Sequence, residues 1–137
     1  MDAATSTAVW SFAAGDPVYS SPALSPDGSM TSKVYIGSYD NKLYAVDAVT
    51  GTAVWSLATG DQVDSSPALS PDGSTIYVGS NDGKLYAVDA MFGTAVWSLA
   101  TGSSVFSSPA LSPDGSAVYI GSYDHKLYAV PVAASTA

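Results

Sequence analysis

Short apolar runs and polar, turn-forming runs alternate along the whole chain with a fixed wavelength. In its middle, one cycle predicts four strands. Residues 63–69 are the first, closed by the turn Ser70-Pro71-Asp72-Gly73-Ser74. Proline presets φ at the first corner of such a turn, and glycine tolerates the positive φ at its end. Residues 76–80 are the second strand, and Asn81-Asp82-Gly83 turns the chain into the third, residues 84–89. Asp-Gly between two apolar runs is a strong hairpin signal. After a loop, residues 95–100 make the fourth strand.

The same cycle runs through the rest of the chain. Ser-Ser-Pro-Ala-Leu-Ser-Pro-Asp-Gly-Ser occurs at 20–29, 65–74 and 107–116, and Lys-Leu-Tyr-Ala-Val at 42–46, 84–88 and 126–130. Thr-Ala-Val-Trp-Ser carries Trp10, Trp55 and Trp97, which stand 45 and 42 residues apart. Three extra residues in Met30-Thr31-Ser32-Lys33 lengthen one hairpin loop of the first copy, at small entropic cost. Four antiparallel strands per repeat of roughly 40 residues describe a β-propeller blade. Side-chain size fits that wedge. The first strand is small (Ser-Ser-Pro-Ala), tyrosines fill the middle, and tryptophan sits on the fourth strand where blades diverge.

Composition strengthens the all-β expectation. Every one of the twelve acids is Asp; Glu, Arg and Cys are absent, and Gln62 is the only Gln. The chain therefore lacks several of the best helix formers. Its four cations, Lys33, Lys42, Lys84 and Lys126, are scattered, and the formal net charge is −8. Nothing can be assembled into the basic face that a nucleic-acid backbone or an anionic membrane surface requires. Without cysteine there are no disulfides, thiolate zinc sites or cysteine nucleophiles. Residues 1–30 hold no basic start followed by an apolar run, so no signal peptide is visible and the cytoplasm is the default expectation. The apolar runs are too short for a membrane helix.

The stretch from Ala45 to Trp55 resembles the tryptophan-docking motif of the PQQ-like (quinoprotein dehydrogenase-like) propeller repeats, Ala-x-Asp-x-x-Thr-Gly-x-x-x-Trp. Ala45, Asp47, Thr50, Gly51 and Trp55 match every position. Ala87, Asp89, Gly93 and Trp97 match in the next copy, which has Phe92 in place of Thr. The opening copy has Asp2, Thr5 and Trp10, with Ser6 where Gly belongs. The resemblance implies that each Trp lies between neighbouring blades and helps lock their angle. Asp47 and Asp89 would tie down loop amides, and Gly51 and Gly93 would suit a turn. It also implies that quinone catalysis needs acidic and cationic groups around the cofactor. With no Arg, Glu or cysteine pair, we expect no enzyme and no cofactor.

The phase of the repeat leads to an expectation about assembly. The whole chain, 1–137, reads as one repeat domain: an outer strand at 7–13, blades at 18–57 and 63–100, and three strands of a split blade at 105–130. Three blades cannot close a ring, for which about four to eight are needed. Two chains give six. The expectation is a homodimer in which residues 7–13 of each chain complete the blade begun by 105–130 of the other, with identical junctions.

Candidate chemistry is sparse. His125, the only His, stands in a hairpin turn where its siblings are Asn41 and Gly83, so the position makes no catalytic demand. Asp27, Asp72 and Asp114 sit in Pro-Asp-Gly-Ser turns, without the ligand spacing of an EF-hand, and we assign no metal. The copies differ at Asp16/Asp61/Ser103, Pro17/Gln62/Ser104, Tyr19/Asp64/Phe106 and Tyr39/Asn81/Tyr123. The first three sets lie in the loop leading into the innermost strand, at one mouth of the channel. Variation there fits either relaxed surface positions or a ligand face made of Tyr19, Asp64, Phe106, Tyr39, Asn81 and Tyr123. Tyr with Asp and Asn could stack on and hydrogen-bond a sugar. The expected function is a non-catalytic, self-assembling propeller scaffold (half propeller), a protein-interaction platform or a designed or excised repeat fragment; the alternative is a multivalent carbohydrate-binding, lectin-like propeller.

Overall fold

The computed structural model describes residues 8–26 and 32–132. All regular elements among them are strands, in three antiparallel sheets. The first sheet runs β1 (Ala23–Leu24), β2 (Lys33–Gly37), β3 (Lys42–Asp47), β4 (Ala53–Ala58). The second runs β5 (Ala68–Leu69), β6 (Thr75–Gly79), β7 (Lys84–Asp89), β8 (Ala95–Ala100). The third holds β9 (Ala110–Leu111), β10 (Ala117–Gly121) and β11 (Leu127–Pro131). Each sheet is a blade in which sequence neighbours pair. Turn chemistry makes this register. Gly73 and Gly115 end their Pro-Asp-Gly turns at φ +75°, and the β2–β3, β6–β7 and β10–β11 hairpins place Asn41, Gly83 and His125 at φ 76°, 91° and 74°. Asn, Gly and His are residues that tolerate this left-handed region, which explains why one position takes all three.

The innermost strand is shorter than the sequence predicts. Of residues 63–69, only Ala68 and Leu69 pair with β6. Pro67 has no N–H to give, and the residues before it bond elsewhere. Ser65 Oγ accepts from Gly79 N–H at 3.0 Å, and Val63 N–H donates across to Ser38 O of the first blade at 3.0 Å. Ser21 N–H donates to Ser66 Oγ (2.7 Å), and Ser66 N–H to Ser108 Oγ (2.9 Å), which links the three inner strands to one another. Serine hydroxyls thus replace the backbone ladder where blades converge. Of the expected outer strand at 7–13, residue 7 lies outside the described residues, as does most of the lengthened first-copy loop. Residues 8–13 pair with no strand among the described residues.

Two cores fill the spaces between blades. Tyr35, Leu43 and Ala45 of the first blade face Val63, Ile76, Val78 and Val88 of the second. Tyr77, Leu85 and Ala87 of the second face Val105, Val118, Ile120 and Val130 of the third. Register builds each face. Tyr35 pairs with Ala45, which pairs with Trp55, and Tyr77, Ala87 and Trp97 repeat the row. The small middle residue lets the two aromatic rings approach to 6.0 Å and 6.1 Å between centroids. Glycine governs the closest approach. A Cβ added at Gly79 would lie 2.3 Å from Val105 Cγ1 and 2.8 Å from its carbonyl oxygen, and Gly37 meets Val63 in the same way.

Gly79→Ala should therefore lower stability in urea by about 2–3 kcal/mol through overpacking. Gly83→Ala should cost only about 1 kcal/mol, the left-handed penalty alone, because its Cβ would meet nothing nearer than 3.2 Å. Equal losses at both positions would contradict the close-approach argument.

Candidate functional site

The motif loops form the contacts between blades. Asp47 Oδ1 accepts from Val49 N–H (2.8 Å) and Thr50 N–H (3.0 Å), and these backbone bonds hold its carboxyl below the usual carboxylate range. Gly51 follows at φ +74°, its N–H donating to Asp47 O at 2.8 Å. Against Gly51 lies Trp10, whose Cδ2 would be 2.5 Å from an added Cβ and whose Nε1 donates to Ala48 O at 3.0 Å. The next junction repeats the arrangement. Trp55 lies against Gly93 (φ +73°), its Nε1 donating to Ala90 O at 3.0 Å, while Asp89 Oδ1 accepts from Met91 N–H and Phe92 N–H. Trp97 packs into the second core beside Tyr77 and Val132. Each tryptophan precedes the blade it reaches.

Thr50 bonds through its backbone and to the Thr52 hydroxyl (2.8 Å) in the open, so Phe92 at the same place leaves the junction intact. Ala45 and Ala87, fully buried, are the small residues of the aromatic rows. The acceptor carbonyls of Ala48 and Ala90 were not singled out by the sequence. The alanine shared by both loops is the only trace of them.

A second set of bonds clamps each hairpin to the chain arriving from the preceding outer strand. Asp40 Oδ2 accepts from Gly15 N–H (3.0 Å) and from the Tyr44 hydroxyl, while Oδ1 accepts from Lys42 N–H (3.1 Å). Asp82 does the same with Gly60, Tyr86 and Lys84, and Asp124 with Gly102, Tyr128 and Lys126. Burial pushes Asp40 up, but these hydrogen bonds outweigh it and hold the carboxyl below its ordinary value. Burial, then the Asp40 carboxylate, push the Tyr44 phenol up to about 12. Residues 8–16 therefore sit against the first blade just as 53–61 sit against the second.

The variable positions of the channel mouth are brought together in pairs, one per blade. Tyr19 and Tyr39 meet edge to face with centroids 4.5 Å apart, and Phe106 and Tyr123 likewise at 4.5 Å. Between them, Asn81 Nδ2 donates to Asp64 Oδ2 at 3.1 Å. Backbone bonds seat each hairpin tip: Tyr39 N–H to Pro17 O, Asn81 N–H to Gln62 O and Tyr123 N–H to Ser104 O. The row is continuous across blades. Ser104 Oγ donates to Asn81 O (3.1 Å), and the Tyr39 phenol is raised by burial and then by the neighbouring Asp64 charge. Asp64 Oδ1 and Asn81 Oδ1 are both enclosed and have no hydrogen-bond partner.

The remaining candidates are occupied by structure. His125 is an exposed turn residue. Asp72 Oδ1 accepts from Ser74 N–H, Ser70 Oγ and Ser74 Oγ, which hold its carboxyl down at about 2, and Asp114 does the same with Ser116 and Ser112. Asp27 lies outside the described residues. At the opposite end of the strands from the mouth, a cleft of about 380 Å³ between the first two blades is lined by Pro26, Tyr35, Asp72, Met91 and Phe92.

A family model described as outer membrane protein assembly factor BamB matches residues 1–136. The chain belongs to this family of PQQ-like propeller repeats. Among solved structures, the crystal structure of BamB from Moraxella catarrhalis is similar at 28% sequence identity, with a TM-score of 0.72. The match covers 89% of this chain and 36% of that one, so the chain spans well under half of that structure's length. No curated protein sequence matches the chain.

The turn carboxylates set an acid limit. Asp72 and Asp114 titrate near 2 when folded and near 3.9 when unfolded, so their contribution is full above roughly pH 4 and is lost as pH falls through about 2. The Tyr44 phenol gives the alkaline counterpart, full below about pH 10 and lost as pH rises through about 12. Urea midpoints should fall at both ends. The Asp72→Asn/Asp114→Asn double variant should be weaker at neutral pH yet show a flatter acid limb; an unchanged acid limb would contradict the assignment.

Proposed function

We propose that this BamB-family chain is a non-catalytic propeller scaffold that presents its faces to other proteins, and that further copies of the same repeat close its ring. The observation that carries the second part is an internal comparison among sibling residues. Leu43 and Leu85 are 0% exposed, while Leu127 is 78% exposed. Tyr35 and Tyr77 are 2% and 1% exposed, while Tyr119 is 40% exposed. On the other face, Val63 and Val105 are fully buried and Val18 is 42% exposed. One face thus lacks what the other offers. Gly121 meets nothing nearer than Ser107 Oγ at 3.7 Å, where Gly37 and Gly79 each receive a valine from the next blade. Val18 of another copy fits that place. The row from Tyr119 to Ala129 lacks a tryptophan, and Trp10 of another copy completes it.

For the 137-residue chain, the other copy is a second molecule, and two give six blades, within the range of about four to eight that propellers use. In a longer chain, further repeats would fill the same place. The scaffold reading is supported by the family's description as an outer membrane protein assembly factor. It is supported too by the residues themselves: the single His is held in a turn, and the carboxylates of the Pro-Asp-Gly turns and hairpins bond backbone amides. No group in this set is free to act as a base beside a nucleophile.

Leu127→Asp should dissociate the closed ring into single chains while leaving the two complete blades folded. Gly121→Ala should do the same more mildly, since its Cβ is harmless in the separate chain and clashes only across the new junction. Val96→Asp, on the exposed outer strand β8, is the control and should leave the mass unchanged. Light scattering that gives one mass for all four proteins would overturn ring closure between copies.

A further inference from the structure

The middle pair of the mouth differs in kind from its siblings. In two blades of the same chain this slot holds aromatic pairs, Tyr19–Tyr39 and Phe106–Tyr123, packed edge to face. In the third it holds Asp64 and Asn81, joined by a single hydrogen bond; no donor is in hydrogen-bonding geometry on the enclosed Oδ1 of either residue, and the Tyr39 phenol is the neighbouring donor that interacts with the Asp64 carboxylate. An unmet buried acceptor loses the hydrogen bonds it made to water and is destabilising. The fold fills the slot without that cost in both neighbouring blades, so packing does not require the polar pair.

The chemistry of the slot is one-sided. Both unpartnered atoms, Asp64 Oδ1 and Asn81 Oδ1, are acceptors, and one belongs to a carboxylate. Such a pair suits a group that only donates hydrogen bonds, and the carboxylate charge favours a cationic donor, an ammonium or guanidinium, over a neutral N–H. Aromatic rings stand on both sides. The Tyr39 phenol is beside Asp64, and by the same repeat offset Phe106 stands to Asn81 as Asp64 stands to Tyr39, two residues beyond Ser104, whose Oγ bonds Asn81 O. Aromatic rings next to a desolvated cation attract it through their negative faces. The net charge of −8 favours the approach of a cation.

We propose that Asp64 and Asn81, flanked by Tyr39 and Phe106, form a binding site for a primary ammonium group, either a free amine or the lysine side chain of a protein partner. Both acceptor oxygens are enclosed, so binding requires the ligand to displace the Tyr39 phenol from beside Asp64. The ammonium donates to Asp64 Oδ1 and Asn81 Oδ1 while its methylene stem lies along the rings. The site lies within one chain and does not depend on ring closure.

The test is a nuclear magnetic resonance titration of the 137-residue chain with Nα-acetyl-lysine amide, its Nε-acetylated form, a lysine-containing peptide and a methyl glycoside. Saturable shifts centred on residues 39, 64, 81 and 106 are expected with the first probe, together with movement of the Tyr39 ring resonances. Affinity should fall at least about tenfold on Nε-acetylation and in Asp64→Asn. That variant should fold, because the siblings of Asp64 are Tyr and Phe. Tighter binding of the peptide than of the amide identifies a protein partner as the source; equal binding identifies a small amine; both support the site. The Leu127→Asp variant should bind equally well, which separates this result from the fate of the ring. Non-saturable shifts, indifference to Nε-acetylation or to Asp64→Asn, or a response to the glycoside alone would overturn the proposal.

Discussion

The indole of Trp55 needs a neighbour with no side chain, and Gly93 provides one on the next blade, where a Cβ would approach within 2.3 Å of the ring. The same glycine needs the left-handed backbone, at φ +73°, that lets its loop turn. One residue therefore meets two demands at once, and the Nε1–H bond to Ala90 O fixes the ring's remaining freedom. Trp10 and Gly51 repeat the contact with the same 3.0 Å bond, to Ala48 O. Nearly everything else in the fold is arranged around this spacing between blades. Tyrosine and tryptophan close over a small alanine, and valine enters the space that Gly37 and Gly79 leave empty.

Toward the axis the spacing narrows, and the chain changes how it bonds. The inner strands give up most of their ladder, and serine hydroxyls pass hydrogen bonds from one blade to the next. Buried Ser38 and Ser80 accept the arriving amides through their carbonyls and donate to the preceding loop through their hydroxyls. The blades are thus joined at three radii: serine at the axis, valine against glycine in the middle, and tryptophan against glycine outside. Each junction buries both an apolar core and hydrogen-bonded polar groups.

How far the sequence reveals this depends on how local each cause is. The turns are legible, since Pro-Asp-Gly and Asp-Gly encode their own backbone angles, and the four-strand cycle follows from them. The spacing of the tryptophans marks the blade period. The shortened inner strand is not legible, because Ser65 and Ser66 read only as small residues; their bonds to Gly79 and Ser108 depend on chain 14 and 42 residues away. Gly37 and Gly79 read as strand ends, and their real constraint is a valine delivered by the next blade. At the mouth, the variable residues stood out by differing among otherwise matching copies. That they meet as three pairs is a tertiary fact, set by which loop each hairpin tip bonds.

Conserved geometry at the junctions and variety at the mouth divide the chain into a frame and a face. The frame is complete twice and open once, and the exposed Leu127, Tyr119 and Val18 lie on the two surfaces that its repeat would bring together. The most direct measurement of this account is the solution mass of the 137-residue chain by sedimentation equilibrium. Closure by a second copy predicts twice 13.9 kDa, held over a wide range of concentration. A folded protein that stays at 13.9 kDa would contradict it.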